Sequence, residues 1–105
     1  MGGEVVRTWS GVTSTEHAGA YLHHLQVDTL PLLRELPGFL GWQVMRRALE
    51  GDEVQFVVQT RWSSMDAVLG FAGDRAEVAV VPPAAQACLQ RYDDRVEHFT
   101  VALAD

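Results

Sequence analysis

Strand-forming residues cluster at the start of the chain, where Val5 to Val12 contains Val5, Val6, Thr8, Trp9 and Val12, with Gly11 near the end. Branched and aromatic side chains suit a pleated, half-buried surface, so this segment is predicted as the first strand. Ser14 and Thr15 then offer N-caps, and Glu16 puts an acid in the first turn of a helix. From Glu16 to Leu36, the positions Ala18, Leu22, Leu25, Thr29, Leu32 and Leu36 recur at the spacing of one helix face. Pro31 lacks a donor for the preceding turn, which predicts a kink or a restart. Pro37-Gly38 ends the helix. Phe39 to Leu49 and Glu53 to Trp62 read as two strands joined at Gly51-Asp52. Ser63-Ser64 caps a helix from Met65 to the neighbourhood of Phe71, and Gly73 closes it. A connector, Asp74 to Val81, leads to a third helix opened by Pro82-Pro83 and running through Tyr92. Arg95 to Leu103 is the last predicted strand.

The order strand, helix, strand, strand, helix, helix, strand predicts an α+β fold, a ferredoxin-like split β-α-β sandwich with one extra helix. All 105 residues suit a single domain. Val54, Phe56, Val58 and Trp62 share one face of their strand, and Gln55, Val57, Gln59 and Arg61 share the other. Neither face is charged throughout, as a freely solvated face often is. The helices can cover only one of them. A second copy covering the other by two-fold symmetry predicts a homodimer through the sheet face, closing a dimeric α/β barrel.

Charge and composition remove several functions. The net charge is −6, and no cationic face is available to neutralise phosphates, so nucleic-acid binding is not expected. All eight basic residues are arginine. That excludes lysine Schiff-base chemistry and a phosphate-loop lysine within this sequence. No G-x-G-x-x-G, phosphate loop or C-x-x-C is present, and no nucleotide, flavin or iron–sulfur cofactor site is expected. Cys88 is the one cysteine and lies in an apolar stretch, which suits a buried small hydrophobe and a reducing cytoplasm. The N-terminus shows no basic segment followed by an apolar one, and no apolar run is long enough to span a membrane.

The chemistry that remains sits on helix one. His17, Tyr21, His24 and Asp28 form a single stripe. Facing a pocket, His24 would be a general base, with Asp28 orienting it and Tyr21 donating to a substrate oxygen. Facing solvent, the same stripe is a polar edge beside the apolar one. A metal site on His24 and Asp28 lacks a third ligand, and none is expected. His98 in the last strand reads as a structural histidine. Arg46 and Arg47 are neighbours on a strand, so they point to opposite faces and cannot line one site together.

The chain resembles the antibiotic biosynthesis monooxygenase-like domains of the dimeric α/β barrel superfamily. The resemblance rests on Pro37-Gly38-Phe39-Leu40-Gly41, Arg46-Arg47, Val54-Gln55-Phe56, Trp62-Ser63-Ser64-Met65-Asp66-Ala67-Val68, Phe71-Ala72-Gly73 and Ala79-Val80-Val81-Pro82-Pro83, in that order. It implies a cofactor-independent monooxygenase acting on an aromatic or polyketide-like molecule. The alternative readings are a non-catalytic small-ligand-binding or assembly dimer of the same fold and a cyclase or isomerase of the same fold. By this resemblance Trp62 matches a tryptophan that shapes an aromatic pocket, with Phe71 and Tyr21 beside it; the plainer role for Trp62 is core. Two departures stand out. The oxygenase pattern places an asparagine on the sheet near this tryptophan, and this sequence has none. Haem-degrading members carry a histidine iron ligand on the helix after strand three, and Met65 to Gly73 contains no histidine.

Overall fold

Strand β1 (Val5–Ser14) runs through the middle of the sheet in the computed structural model, which describes residues 3–105. Met1 and Gly2, part of the segment read above for a leader, lie outside the described residues. β1 pairs antiparallel along its whole length with β3 (Glu53–Trp62), from Val5 opposite Trp62 to Ser14 opposite Glu53. β2 (Phe39–Ala48) pairs with the far side of β3. Two short strands share the other edge of β1. β4 (Leu89–Tyr92) lies along Gly11–Thr13, and β5 (Glu97–Thr100) lies along Val5–Thr8. All neighbours are antiparallel, and each crossover skips one strand, which is the α+β ferredoxin-like arrangement.

Several boundaries differ from the sequence pattern. β1 continues past Val12 because Thr13 and Ser14 find partners at Val54 and Glu53. The third helix does not reach Tyr92: α3 covers only Pro83–Gln86. Leu89–Tyr92 instead fills the vacant edge of β1, where backbone pairing outweighs local helix preference. The last strand is also shorter than expected, since its partner β1 begins at Val5. One further bond, from Val101 N to Glu4 O at 2.8 Å, extends the pairing beyond Thr100.

The long helix is three helices in series. α1 (Ala18–His24) widens into a π turn (Leu25–Thr29) and then tightens into a 3-10 segment (Leu30–Glu35). Pro31 supplies the reason: it has no N–H to donate, and its ring crowds the carbonyl four residues back, so a regular α-helix cannot pass through. The Leu30 N–H donates to the Leu25 carbonyl, the longer loop that defines the π turn. Glu16 is not in the first turn. It lies in the turn that precedes α1, where the Ser14 hydroxyl accepts from the His17 N–H at 3.1 Å.

α2 (Met65–Ala72) follows the expected signals closely. The Ser64 hydroxyl caps it by accepting from the Ala67 N–H at 3.2 Å, and Gly73 ends it at φ +78°. Gly38 is needed for two reasons. Its φ is +80°, and a Cβ there would fall 2.5 Å from the Cβ of Ala67. The close approach lets Gly38 O accept from Ser63 N at 2.8 Å, tying the start of β2 to the entrance of α2.

All helices lie on one face of the sheet. Two core clusters result. Tyr21, Leu25, Leu30, Leu33 and Phe56 form one beneath helix one, and Val5, Trp62, Val68 and Ala76 form the other beneath α2. Burying such side chains contributes about 1.5–3 kcal/mol each. No helix among the described residues is long and apolar enough to cross a membrane.

Candidate functional site

Between the two core clusters the helices leave a cavity of about 650 Å³ against the covered face of the sheet. Leu25, Leu30 and Leu33 line it from helix one, Val58 from the sheet, and Val81 and Ala85 from the segment after α2. Its rim carries large apolar side chains in water: Phe71 is 41% exposed, Leu32 71% and Val80 86%. A concave apolar surface of this kind can take an apolar ligand.

Few polar groups enter this wall. His24 is buried at its edge, with Nδ1 3.1 Å from Asp28 Oδ2 and Nε2 3.2 Å from the Thr29 hydroxyl. A carboxylate accepts, so in the neutral imidazole Nδ1 carries the hydrogen and Nε2 keeps a lone pair to which the Thr29 hydroxyl can donate. The π turn builds this triad, since it sets Asp28 four residues and Thr29 five residues beyond His24 around one imidazole. Such single π turns often coincide with functional sites. Tyr21 also lines the cavity, its ring 5.2 Å from that of Phe56. Burial, with a smaller contribution from Cys88, pushes its phenol well above the ordinary range. Tyr21 therefore stays protonated and can donate but not act as a base.

Sequence reasoning missed the one arginine in the wall. Arg7 lines the cavity from β1, and burial pulls its guanidinium below the usual range. Its Nη1 donates to the carbonyl of Ala76 at 2.6 Å and to Nε2 of His98 at 2.9 Å, and its guanidinium carbon lies 5.7 Å from the centre of the Phe71 ring. The signal was available: Arg7 shares parity with Val5 and Trp9, so it had to fall on the covered face of the strand. Thr60, opposite Arg7 in the β1–β3 register, was missed too, and it also lines the cavity.

The structure places the remaining predicted site residues as follows. Phe71 and Asp28 line the cavity beside His24 and Tyr21. Trp62 does not line it. Trp62 is fully buried behind Phe71, the two rings stacked with centres 5.0 Å apart, and Phe39 meets it edge-on at 5.4 Å. Its indole N–H donates to the Thr60 hydroxyl at 2.8 Å. Trp62 thus supports two lining residues from beneath. His17 stands apart from the cavity, with Nδ1 2.9 Å from the Ser14 hydroxyl.

Across 99% of its length the chain is similar to a candidate antibiotic biosynthesis monooxygenase from Bacillus cereus, at 13% identity, covering 98% of that chain with a TM-score of 0.68. The chain has the antibiotic biosynthesis monooxygenase-like fold. A similar protein from Caulobacter crescentus matches 97% of this chain and 92% of its own at 16% identity, with a TM-score of 0.67. The haem degrader MhuD from Mycobacterium tuberculosis, seen with two haems in its active site, matches 96% of this chain and 98% of its own. Its identity is 25% and its TM-score 0.58. No family model matches the chain, and no curated protein matches it in sequence.

A haem does not fit the donors of this cavity. The α2 side chains in the cavity wall are Phe71 and Ala72, and neither offers a lone pair to iron. His24 is the one imidazole of the wall, and both its nitrogens are engaged. Among the described residues no cluster of three or more His, Cys, Asp or Glu side chains is placed to hold a metal ion.

Proposed function

We propose that the protein is a cofactor-independent monooxygenase acting on a hydroxylated polycyclic aromatic compound bound in the cavity beside His24. The observation that carries this is His24 itself: Nδ1 is held by Asp28, and Nε2, met by the Thr29 hydroxyl at 3.2 Å, stands at the edge of an apolar cavity wide enough for fused rings. A substrate hydroxyl takes the place of Thr29 at Nε2. His24 accepts its proton, and Asp28 stabilises the imidazolium that forms. The deprotonated ring is electron-rich enough to reduce oxygen directly. Where a ring CH₂ becomes a carbonyl, one oxygen atom enters the product and the other leaves as water, with all four electrons drawn from the substrate. The hydrocarbon wall keeps water from the intermediate, and the protonated Tyr21 donates to a substrate oxygen. The neighbours named above include candidate monooxygenases of the same fold and give no support to a cyclase, an isomerase or a purely assembling dimer.

The partner of the open sheet face, in this proposal, is a second copy of the chain. That face is left uncovered by every helix, and Phe99 on it is 55% exposed. A mass measurement at micromolar concentration gives a dimer, and Phe99→Asp gives a monomer; a monomeric wild type removes the shared barrel. A reducing cytoplasm suits the unpaired thiol of Cys88.

Isotope labelling tests the activity. Incubation with polycyclic quinols and anthrone-type compounds under ¹⁸O₂ places one labelled atom in the product. Products with no label, or no turnover across the panel, overturn the assignment.

A further inference from the structure

The sequence of contacts around Arg7 has a vacancy of a definite kind. Arginine has five N–H donors and no acceptor, and its Nε–Nη2 edge matches a carboxylate two-to-two. Only Nη1 is used here, by the Ala76 carbonyl and by His98 Nε2. Among the described residues no hydrogen bond is made by Nε or Nη2, and no carboxylate lies within ion-pair distance of the guanidinium. By contrast Arg91 has a bidentate partner in Glu53, and Arg61 has Glu4. The one carboxylate in the cavity wall, Asp28, is engaged with His24. A half-buried cation without a counter-charge is costly unless a ligand supplies one. The side chain is nevertheless held in place. The guanidinium carbon lies 5.7 Å from the centre of the Phe71 ring, that ring stacks on Trp62, and His98 accepts from Nη1.

We infer that Arg7 is the anion-binding group of this cavity and that the ligand is an aromatic acid, a flat ring system carrying one carboxylate. The carboxylate pairs with the Nε–Nη2 edge, and the rings lie along the Leu25, Leu33 and Val58 wall beneath the apolar rim. The inference rests on the cavity being the substrate site and narrows the substrate class to an anionic one. It also gives Arg7 a specificity role distinct from the base role of His24.

Titration calorimetry at neutral pH with 2-naphthoate and 2-naphthalenemethanol, which share a ring system and differ in charge, tests it. Wild type binds naphthoate about tenfold or more tightly than the neutral alcohol, as expected for charge-assisted hydrogen bonds. Arg7→Gln removes the preference, and Arg7→Lys keeps part of it. Should Arg7→Gln fail to fold, the wild-type preference and the Arg7→Lys protein carry the test. Equal affinity of the two probes for wild type overturns the anion role and leaves the aromatic cavity standing. A preference that survives in folded Arg7→Gln assigns it to another group and also overturns the role. Binding of neither probe removes both the role and the cavity as a substrate site.

Discussion

The two faces of β1 and β3 are built from alternate residues of the same strands, yet they treat polar side chains in opposite ways. On the open face the polar groups satisfy one another: Gln43 donates to Gln59 at 2.8 Å, Gln55 donates to the Ser10 hydroxyl at 2.8 Å, and Arg47 donates to Gln55 at 2.7 Å. The result is a ladder across three strands with its partners internal to the sheet. On the covered face Arg7 and Thr60 stand opposite each other among hydrocarbon, and Arg7 keeps an unused donor edge toward its surroundings. The comparison shows why location matters more than residue type. A polar group in a closed, solvated ladder supports a surface, whereas a polar group in an apolar wall with capacity to spare supports binding.

Substitutions on the two faces therefore differ in size. Trp62→Ala, on the covered face, removes a fully buried ring packed on Phe39 and Phe71 and leaves Thr60 without its donor; urea unfolding shows a loss of about 3–5 kcal/mol. Gly38→Ala forces a positive φ on an L-residue and drives a methyl into Ala67, costing about 1–3 kcal/mol in the same assay. Gln59→Ala, on the open face, stays within about 0.5 kcal/mol of wild type for the monomer fold. Should Gln59→Ala cost as much as Trp62→Ala, the contrast between the faces fails.

The smallest effect is a pH dependence. Burial first, and the neighbouring Arg7 charge second, lower the pKa of His98 below its ordinary 6.5, with Glu77 opposing. The folded state thus binds its proton less readily than the unfolded state. The corresponding stability is complete above pH 6.5 and is lost as pH falls toward the depressed folded value. Unfolding curves on either side of that range show the decline, and His98→Gln flattens it.

Much of this was legible in the chain because period and punctuation are local. The alternation in Glu53–Trp62 separated a core face from an open one, and Pro37-Gly38, Ser64 and Gly73 marked the ends of elements through backbone geometry. The stripe of Tyr21, His24 and Asp28 was visible as well, although only tertiary packing could turn it toward a cavity. What escaped was non-local. Leu89–Tyr92 is a strand because the edge of β1 is free beside it, and nothing within those residues announces the partner. The π turn arises from Pro31 acting on residues before it, so Thr29 reads as an apolar helix position yet hydrogen-bonds His24. Arg7 looked unexceptional in sequence because its meaning lies in the carboxylate that no neighbouring element brings to it.

Steady-state oxygen uptake by wild type and His24→Gln, with a hydroxylated polycyclic substrate, bears most directly on the proposed chemistry. His24 as general base predicts a kcat about 10²–10⁴-fold lower in His24→Gln, with KM little changed and the fold intact. Equal kcat in the two proteins, or uptake no faster than in buffer, contradicts it.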